Sequence, residues 1–66
     1  MIKTDKLRGI IAERGLTQAD VAKKIGRSPK AFYEKMKKGI FGSNEIQIMI
    51  EELHIEDPES IFFARE

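Results

Sequence analysis

The fold of this chain is decided by residues 16–39, which read LTQADVAKKIGRSPKAFYEKMKKG. Thr17, with Asp20 three residues later, is a typical helix start in which each side chain caps the backbone of the other. Ser28 followed by Pro29 marks a second start, because serine caps a helix and proline is accepted at its first position. Proline also disfavours helical geometry in the residue before it. The stretch therefore predicts two short helices joined by a tight turn.

Small and apolar residues within this stretch predict how the two helices pack. Gly26 supplies the left-handed residue that the turn needs, and Ala22 is small enough for a close helix crossing. Phe32 and Met36 lie four residues apart and form the inward stripe of the second helix. This is the pattern of a helix-turn-helix, whose second helix lies in the major groove of DNA. The exposed face of that helix is expected to hold Ser28, Pro29, Lys30, Tyr33, Glu34 and Lys37.

A helix is also predicted ahead of this pair, over residues 4–14. Thr4 or Asp5 is expected to cap its start, and Gly15 is expected to end it in a left-handed conformation. Gly9 lies inside this helix, at a cost of about 1 kcal/mol relative to alanine. Close approach of a neighbouring helix is one explanation for a glycine at this position.

Two more helices are predicted after the pair. One covers residues 44–53 and is capped by Ser43, and Asp57 and Pro58 start a short fifth helix or turn that reaches about residue 63. Residues 40–41 and 61–63 are also compatible with short extended segments. We therefore predict an all-α fold, a compact bundle of about five short helices that forms a single domain over the whole 66-residue chain.

Charge is distributed unevenly along the chain. Residues 1–38 carry eleven lysines or arginines against four acidic residues, a formal charge of +7. Residues 39–66 carry one arginine against seven acidic residues, a formal charge of −6. The basic half contains the predicted helix-turn-helix and favours an anionic partner, and the acidic half is expected to face away from it. A solvated surface that happens to be polarised is the alternative.

The residue types needed for catalysis or metal binding are largely missing. The chain has no cysteine, so neither a disulfide nor a thiolate metal site is possible. His54 is the only histidine and has no partners at a spacing that suggests catalysis or zinc binding. We predict no enzyme activity, no metal and no cofactor. Charged residues interrupt the first eleven positions, and the apolar runs are short, so we expect no secretion signal, no membrane span and a cytoplasmic protein.

The segment LTQADVAKKIG, followed by a capped helix, resembles the small Cro and repressor DNA-binding domains of temperate phages and their bacterial relatives. Gln18, Ala22, Gly26 and Phe32 match the signature positions of this family. The predicted first, fourth and fifth helices extend the likeness over most of the chain. The resemblance implies a lambda-repressor-like domain that binds operator DNA as a transcriptional regulator, with double-stranded DNA as its partner and no cofactor.

The resemblance also implies roles for individual residues. Lys30 would donate to guanine, and Glu34 would accept from cytosine. The full base-reading set comprises Ser28, Pro29, Lys30, Tyr33 and Glu34. The phosphate-binding set comprises Gln18, Arg27, Lys35, Lys37, Lys38 and the backbone near Ser43 and Asn44. Arg27 and Lys35 depart from the family pattern, because many members carry apolar residues at these two places.

Each of these roles has a simpler alternative. Glu34 is spaced to form intrahelical ion pairs with Lys30 or Lys38. Helix capping alone explains Ser28 and Pro29. Tyr33 is also suited to covering the rim of the core, and the lysines in the last turn are suited to interacting with the helix dipole.

A homodimer is expected, at least on DNA, because two related helices read two half-sites about 34 Å apart. Its candidate surface comprises Ile40, Phe41, Ile61, Phe62 and Phe63. Closure of the core within one subunit is the alternative for the last three of these. The runner-up function is an antitoxin-like protein-binding module that uses the acidic half, and a third possibility is a helical bundle that does not bind DNA.

Overall fold

Short-range capping interactions set most of the helix bounds. The computed structural model describes residues 2–63. These residues form five α-helices and no strand, which confirms the predicted all-α class. The helices are α1 (Thr4–Glu13), α2 (Gln18–Lys24), α3 (Pro29–Lys38), α4 (Ser43–Glu52) and α5 (Pro58–Phe62).

Three helix starts follow the sequence prediction. The Thr17 hydroxyl accepts from the Asp20 backbone N–H at 3.1 Å, and the Asp20 carboxylate accepts from the Thr17 backbone N–H at 2.8 Å. The Ser28 hydroxyl accepts from the backbone N–H of Ala31 at 3.2 Å at the start of α3. Asp57 caps the short α5 in the same way.

The capping residues of the other two helices differ from the prediction, although α1 begins at Thr4 as expected. Lys3, not Thr4 or Asp5, is the capping residue of α1, and its side chain makes no capping bond. The backbone N–H of Lys3 instead donates to the Ile61 carbonyl at 2.7 Å, so contact with α5 fixes this end. Gly42, not Ser43, precedes α4.

Left-handed residues end the first four helices. Gly15 and Gly26 have φ angles of 72° and 74°, as predicted, and Gly39 has a φ of 71°. His54 takes the equivalent place after α4 with a φ of 50°. Arg14 braces this last turn from α1, because its guanidinium donates to the carbonyls of Leu53 at 2.7 Å and His54 at 3.2 Å.

The core lies between the helices and includes residues from all five. α2 packs against α3 and α4, and α1 packs against α2 and α5. The molecule measures 29 × 22 × 20 Å. The buried apolar side chains are Ile2, Leu7, Ile11, Val21, Ala22, Ile25, Phe32, Met36, Phe41, Met49, Leu53, Ile55, Ile61 and Phe62.

Gly9 does not mark a close helix contact. It is exposed, and a Cβ built at this position has no atom within 4 Å apart from its own local backbone. The explanation by a neighbouring helix is therefore wrong. Within residues 2–63, no helix is long and apolar enough to span a membrane.

Candidate nucleic-acid interface

One face of helix α3, its back, packs in the core, and the opposite face, its front, is exposed to solvent. Phe32 is fully buried and Met36 is 4% exposed, so one face of α3 is fixed in the core. The ring of Phe41, from the loop after α3, packs against Phe32 with ring centroids 5.3 Å apart. All residues of the predicted base-reading set are exposed: Ser28, Pro29, Lys30, Tyr33 and Glu34.

Within residues 2–63, no other element forms a side-chain hydrogen bond or ion pair with Lys30, Tyr33 or Glu34 on the front of α3. Glu34 forms no ion pair within 4 Å among residues 2–63, so the predicted pairs with Lys30 or Lys38 are not made there. Tyr33 is 50% exposed, so half of its surface is open to solvent. Ser28 does cap α3, but a single capping bond leaves its hydroxyl oxygen at the surface.

The predicted phosphate-binding residues lie in three places. Gln18 is half-buried at the first position of α2. Lys37 and Lys38 are exposed in the last turn of α3. Ser43 and Asn44 are exposed at the first two positions of α4, where backbone N–H groups have no partner within the helix.

Arg27 and Lys35 are joined by a carboxylate that sequence reasoning did not single out. Arg27 Nε donates to Glu45 Oε2, and Lys35 Nζ lies 3.2 Å from Glu45 Oε1. Glu45 Oε1 also accepts from the Gly42 backbone N–H at 2.7 Å. The carboxylate is only 1% exposed, whereas the side chains of Arg27 and Lys35 are 46% and 33% exposed. Glu45 thus ties the start of α4 to both ends of α3.

Glu45 remains ionised despite its burial. Burial by itself raises the pKa of this carboxyl group, but the Gly42 N–H, Arg27 and Lys35 more than offset it and hold the pKa below its ordinary value. Two cations face one carboxylate, so the cluster of Arg27, Lys35 and Glu45 keeps a net positive charge next to the front of α3.

The sequence did contain two signals for Glu45. Gly42 and Glu45 have the spacing of a helix start in which an acid at the third position reaches back to the capping residue. Glu45 also lies four residues before Met49 and eight before Leu53, on the face of α4 that is buried. With Ser43 as the expected cap, the third helical position falls on Ile46, so the spacing between Gly42 and Glu45 did not stand out.

The acidic half of the chain was expected to face away from the basic half, but two of its acidic side chains contact cations of the basic half. Glu45 lies beneath Arg27 and Lys35, and Glu52 of α4 pairs with Lys24 of α2 at 3.2 Å. The expected separation is therefore wrong at these two positions.

Three of the five candidate dimer residues are buried within one chain. Phe41, Ile61 and Phe62 are 7%, 3% and 4% exposed, so their assignment to a dimer surface is wrong. They close the core instead. Ile40 and Phe63 are 67% and 58% exposed and remain available for contact with another molecule.

The described residues contain no cluster of three or more histidine, cysteine or acidic side chains placed to hold a metal ion. Comparison of the chain with protein-family models, with curated proteins and with solved structures gives no match. The likeness to Cro and repressor domains therefore stays a prediction from the sequence, and the geometry of α3 and its surroundings carries the functional argument.

Proposed function

We propose that the protein is a sequence-specific DNA-binding regulator of transcription that acts in the cytoplasm and binds operator DNA with α3. The observation that carries this proposal is the exposure of one whole polar face of α3 while Phe32 and Met36 fix its back in the core. A helix that is rigid and uncovered in this way is suited to the major groove. Together, α2 and α3 would act as a helix-turn-helix.

Charge near this face favours DNA as the partner. Lys30, Lys37 and Lys38 make no ion pair among residues 2–63, so their charges are not neutralised there. Binding phosphates with such lysines releases counterions and gives affinity that falls with salt. The proposed division of labour is that these cations supply affinity and that the exposed side chains near the start of α3 supply base preference.

Base preference would come from side chains with different hydrogen-bonding capacity. The Lys30 ammonium is a donor suited to guanine O6 and N7, and the Glu34 carboxylate is an acceptor suited to the cytosine amino group. Pro29 offers only an apolar surface, which suits a thymine methyl group. Such a protein would repress by occupying a site that polymerase needs, and this action requires no cofactor.

The size of the molecule favours binding as a pair. Its longest dimension is 29 Å, which is shorter than the separation of about 34 Å between half-sites one helical turn apart. Two copies with a shorter axis, 22 or 20 Å, along the duplex would fit side by side on one face. A symmetric pair of sites would double the number of bases read.

Selection of bound sites from random duplex DNA, followed by sequencing, tests the proposal. We expect enrichment of a palindrome whose half-sites are separated by about one helical turn. Titration with salt should then give a linear fall of log K against log salt, with a slope of about −0.9 for each phosphate contacted. A scrambled duplex of the same length is the control, and it should bind at least about 10³-fold more weakly at physiological salt.

Failure to enrich any sequence would overturn the proposal. Binding that is weak and indifferent to sequence, together with tight pairing to another protein, would instead favour the antitoxin-like alternative. No measurable affinity at moderate salt would favour a helical bundle that does not bind DNA.

A further inference from the structure

Arg27 is fixed at both its backbone and its side chain. It directly precedes Ser28, the capping residue of α3, and its backbone N–H donates to the Ala22 carbonyl at 2.9 Å. Its Nε donates to Glu45, yet the side chain is still 46% exposed. Glu45 is contacted through Nε, and among residues 2–63 the two terminal nitrogens of Arg27 form no hydrogen bond. The outer part of a planar group with several N–H donors is therefore held at the surface beside the start of α3.

The acid that holds Arg27 is itself immobile. Glu45 belongs to α4, is 1% exposed, and binds the Gly42 backbone N–H with the oxygen that faces Lys35. Lys35 adds a second positive charge, so the carboxylate does not cancel the charge of the guanidinium. A hydrogen bond from Nε to this buried carboxylate limits the motion of the guanidinium and so reduces the ordering needed when an anion binds.

We propose that Glu45 positions the Arg27 guanidinium to bind a DNA phosphate beside the start of α3, and thereby increases affinity for DNA although it is itself an acid. This inference rests on the proposed function. Glu45 is a positioning residue here, because it is buried and acts through Arg27. Nothing in the family resemblance assigns a role to Glu45.

The effect of removing the Glu45 charge distinguishes this role from simple electrostatics. If only net charge mattered, Glu45→Gln would remove a negative charge near the DNA, tighten binding and make the dependence on salt steeper. If Glu45 positions Arg27, the same change frees the guanidinium to move and weakens binding. The two explanations predict opposite signs.

The experiment is a double-mutant cycle on the selected duplex, with Arg27→Ala, Glu45→Gln and the double variant. We expect each single variant to bind about tenfold more weakly, the size of one charge-assisted hydrogen bond. Arg27→Ala should also reduce the salt slope by about 0.9, equivalent to one phosphate. In the Arg27→Ala background, Glu45→Gln should no longer weaken binding.

Glu51→Gln is the matched control, because it removes one acidic charge from the same helix at an exposed position without an ion pair among residues 2–63. We expect its affinity to equal or slightly exceed that of the wild type. Circular dichroism of each variant at the assay temperature verifies folding.

If Glu45→Gln does not fold, Arg27→Lys answers the same question, because Arg27 is half-exposed and its replacement should preserve the fold. An ammonium keeps the charge but lacks the planar group that Glu45 orients. We expect Arg27→Lys to bind nearly as weakly as Arg27→Ala. Wild-type affinity for Arg27→Lys would overturn the inference.

Two further results would overturn it. One is tighter binding and a steeper salt slope for Glu45→Gln in the otherwise wild-type chain. The other is an equal loss of affinity from Glu45→Gln with and without Arg27. Either result leaves the proposed function intact if the wild-type chain binds its selected site, whereas a wild-type chain that binds no duplex contradicts the proposed function itself.

Discussion

Glu45 belongs to the acidic half of the chain, yet its carboxylate lies under two cations of the basic half. The free energy of such a buried acid depends on its partners, because burial without them would be costly. Here a backbone N–H and two cations satisfy it. At the scale of the residue, the Glu45 side chain therefore contributes both to the stability of the fold and, through Arg27, to the proposed contact with DNA.

Acid should destabilise the protein partly through Glu45. Its pKa is below the ordinary value of 4.5 in the folded chain. The unfolded chain therefore takes up the proton first as the pH falls, and the contribution of Glu45 is present above about pH 4.5 and lost as the pH falls through the folded pKa. We expect Glu45→Gln to reduce the free energy of unfolding by about 1.5–3 kcal/mol at pH 7. Urea unfolding between pH 2 and 7 measures both effects.

Asp20→Asn is the comparison for this experiment. Hydrogen bonds from the Thr17 backbone N–H and then its hydroxyl hold the pKa of Asp20 below its ordinary value, but this carboxylate is exposed. Both variants should flatten the acid side of the stability profile. A profile for Glu45→Gln that parallels the wild type at every pH would contradict the assignment.

Lys30→Ala should weaken DNA binding and relax the preference at one base. A lysine that donates to guanine contributes about 1–3 kcal/mol of discrimination. Competition between the selected site and its single-base variants measures this loss. Lys38→Ala is the control, because loss of a phosphate contact should weaken all sites equally and reduce the salt slope by about 1. An unchanged binding profile would remove Lys30 from the base-reading set.

His54→Gly should stabilise the protein. A non-glycine residue in the left-handed region is strained by about 1–2 kcal/mol, part of which is offset because glycine has more freedom in the unfolded chain. The hydrogen bonds at this turn use only the backbone of His54 and not its side chain, so they should persist: Arg14 donates to the His54 carbonyl at 3.2 Å, and the Ile55 N–H donates to the Ile50 carbonyl at 3.0 Å. We expect a gain of about 1 kcal/mol in the free energy of unfolding, measured in urea. His54→Ala retains the strain and should give no gain.

At the scale of the element, helix starts and ends were the most predictable features. Thr17, Ser28 and Asp57 each cap a backbone group three residues away, so all the residues involved lie within one turn. Such signals do not depend on the rest of the fold. The cap of α1 was predicted wrongly, although the helix begins at Thr4 as expected, because Lys3 is held by the Ile61 carbonyl, which is distant in sequence.

Gly9→Ala should stabilise α1. Gly9 is exposed in the middle of the helix and a Cβ there meets no neighbour, so alanine adds helix propensity without a clash. We expect the free energy of unfolding to rise by about 0.5–1 kcal/mol. Gly26→Ala gives the opposite sign, because its φ of 74° strains any residue with a Cβ. A loss of stability for Gly9→Ala would mean that this position has a contact not visible within one chain.

At the scale of the whole molecule, the core leaves only two of the predicted dimer residues at the surface. Phe41 packs against Phe32 of α3, and Ile61 and Phe62 of α5 are buried in the core. Any dimer formed on DNA through the predicted surface must therefore use Ile40 or Phe63. The first lies next to α3, and the second follows α5.

Replacing these two exposed side chains tests pairing on DNA. We expect Ile40→Ser or Phe63→Ser to weaken binding to a full palindrome by about tenfold or more, because each removes apolar contact area from both copies. Binding to an isolated half-site should not change. Gel-shift titrations on full and half sites measure the difference. If both variants bind the palindrome like the wild type, pairing uses neither residue.

The all-α class, most helix bounds and the set of side chains exposed along α3 could be predicted from local patterns in the chain. These follow from caps, glycines and apolar spacing, each of which acts within one or two helical turns. Which charges are paired and which apolar residues are buried became known only from the packing of the helices. Arg27 and Glu45 are 18 residues apart, and Phe41 meets Phe32 only when the loop folds back. Such contacts depend on which helix surfaces meet, and no local pattern specifies that.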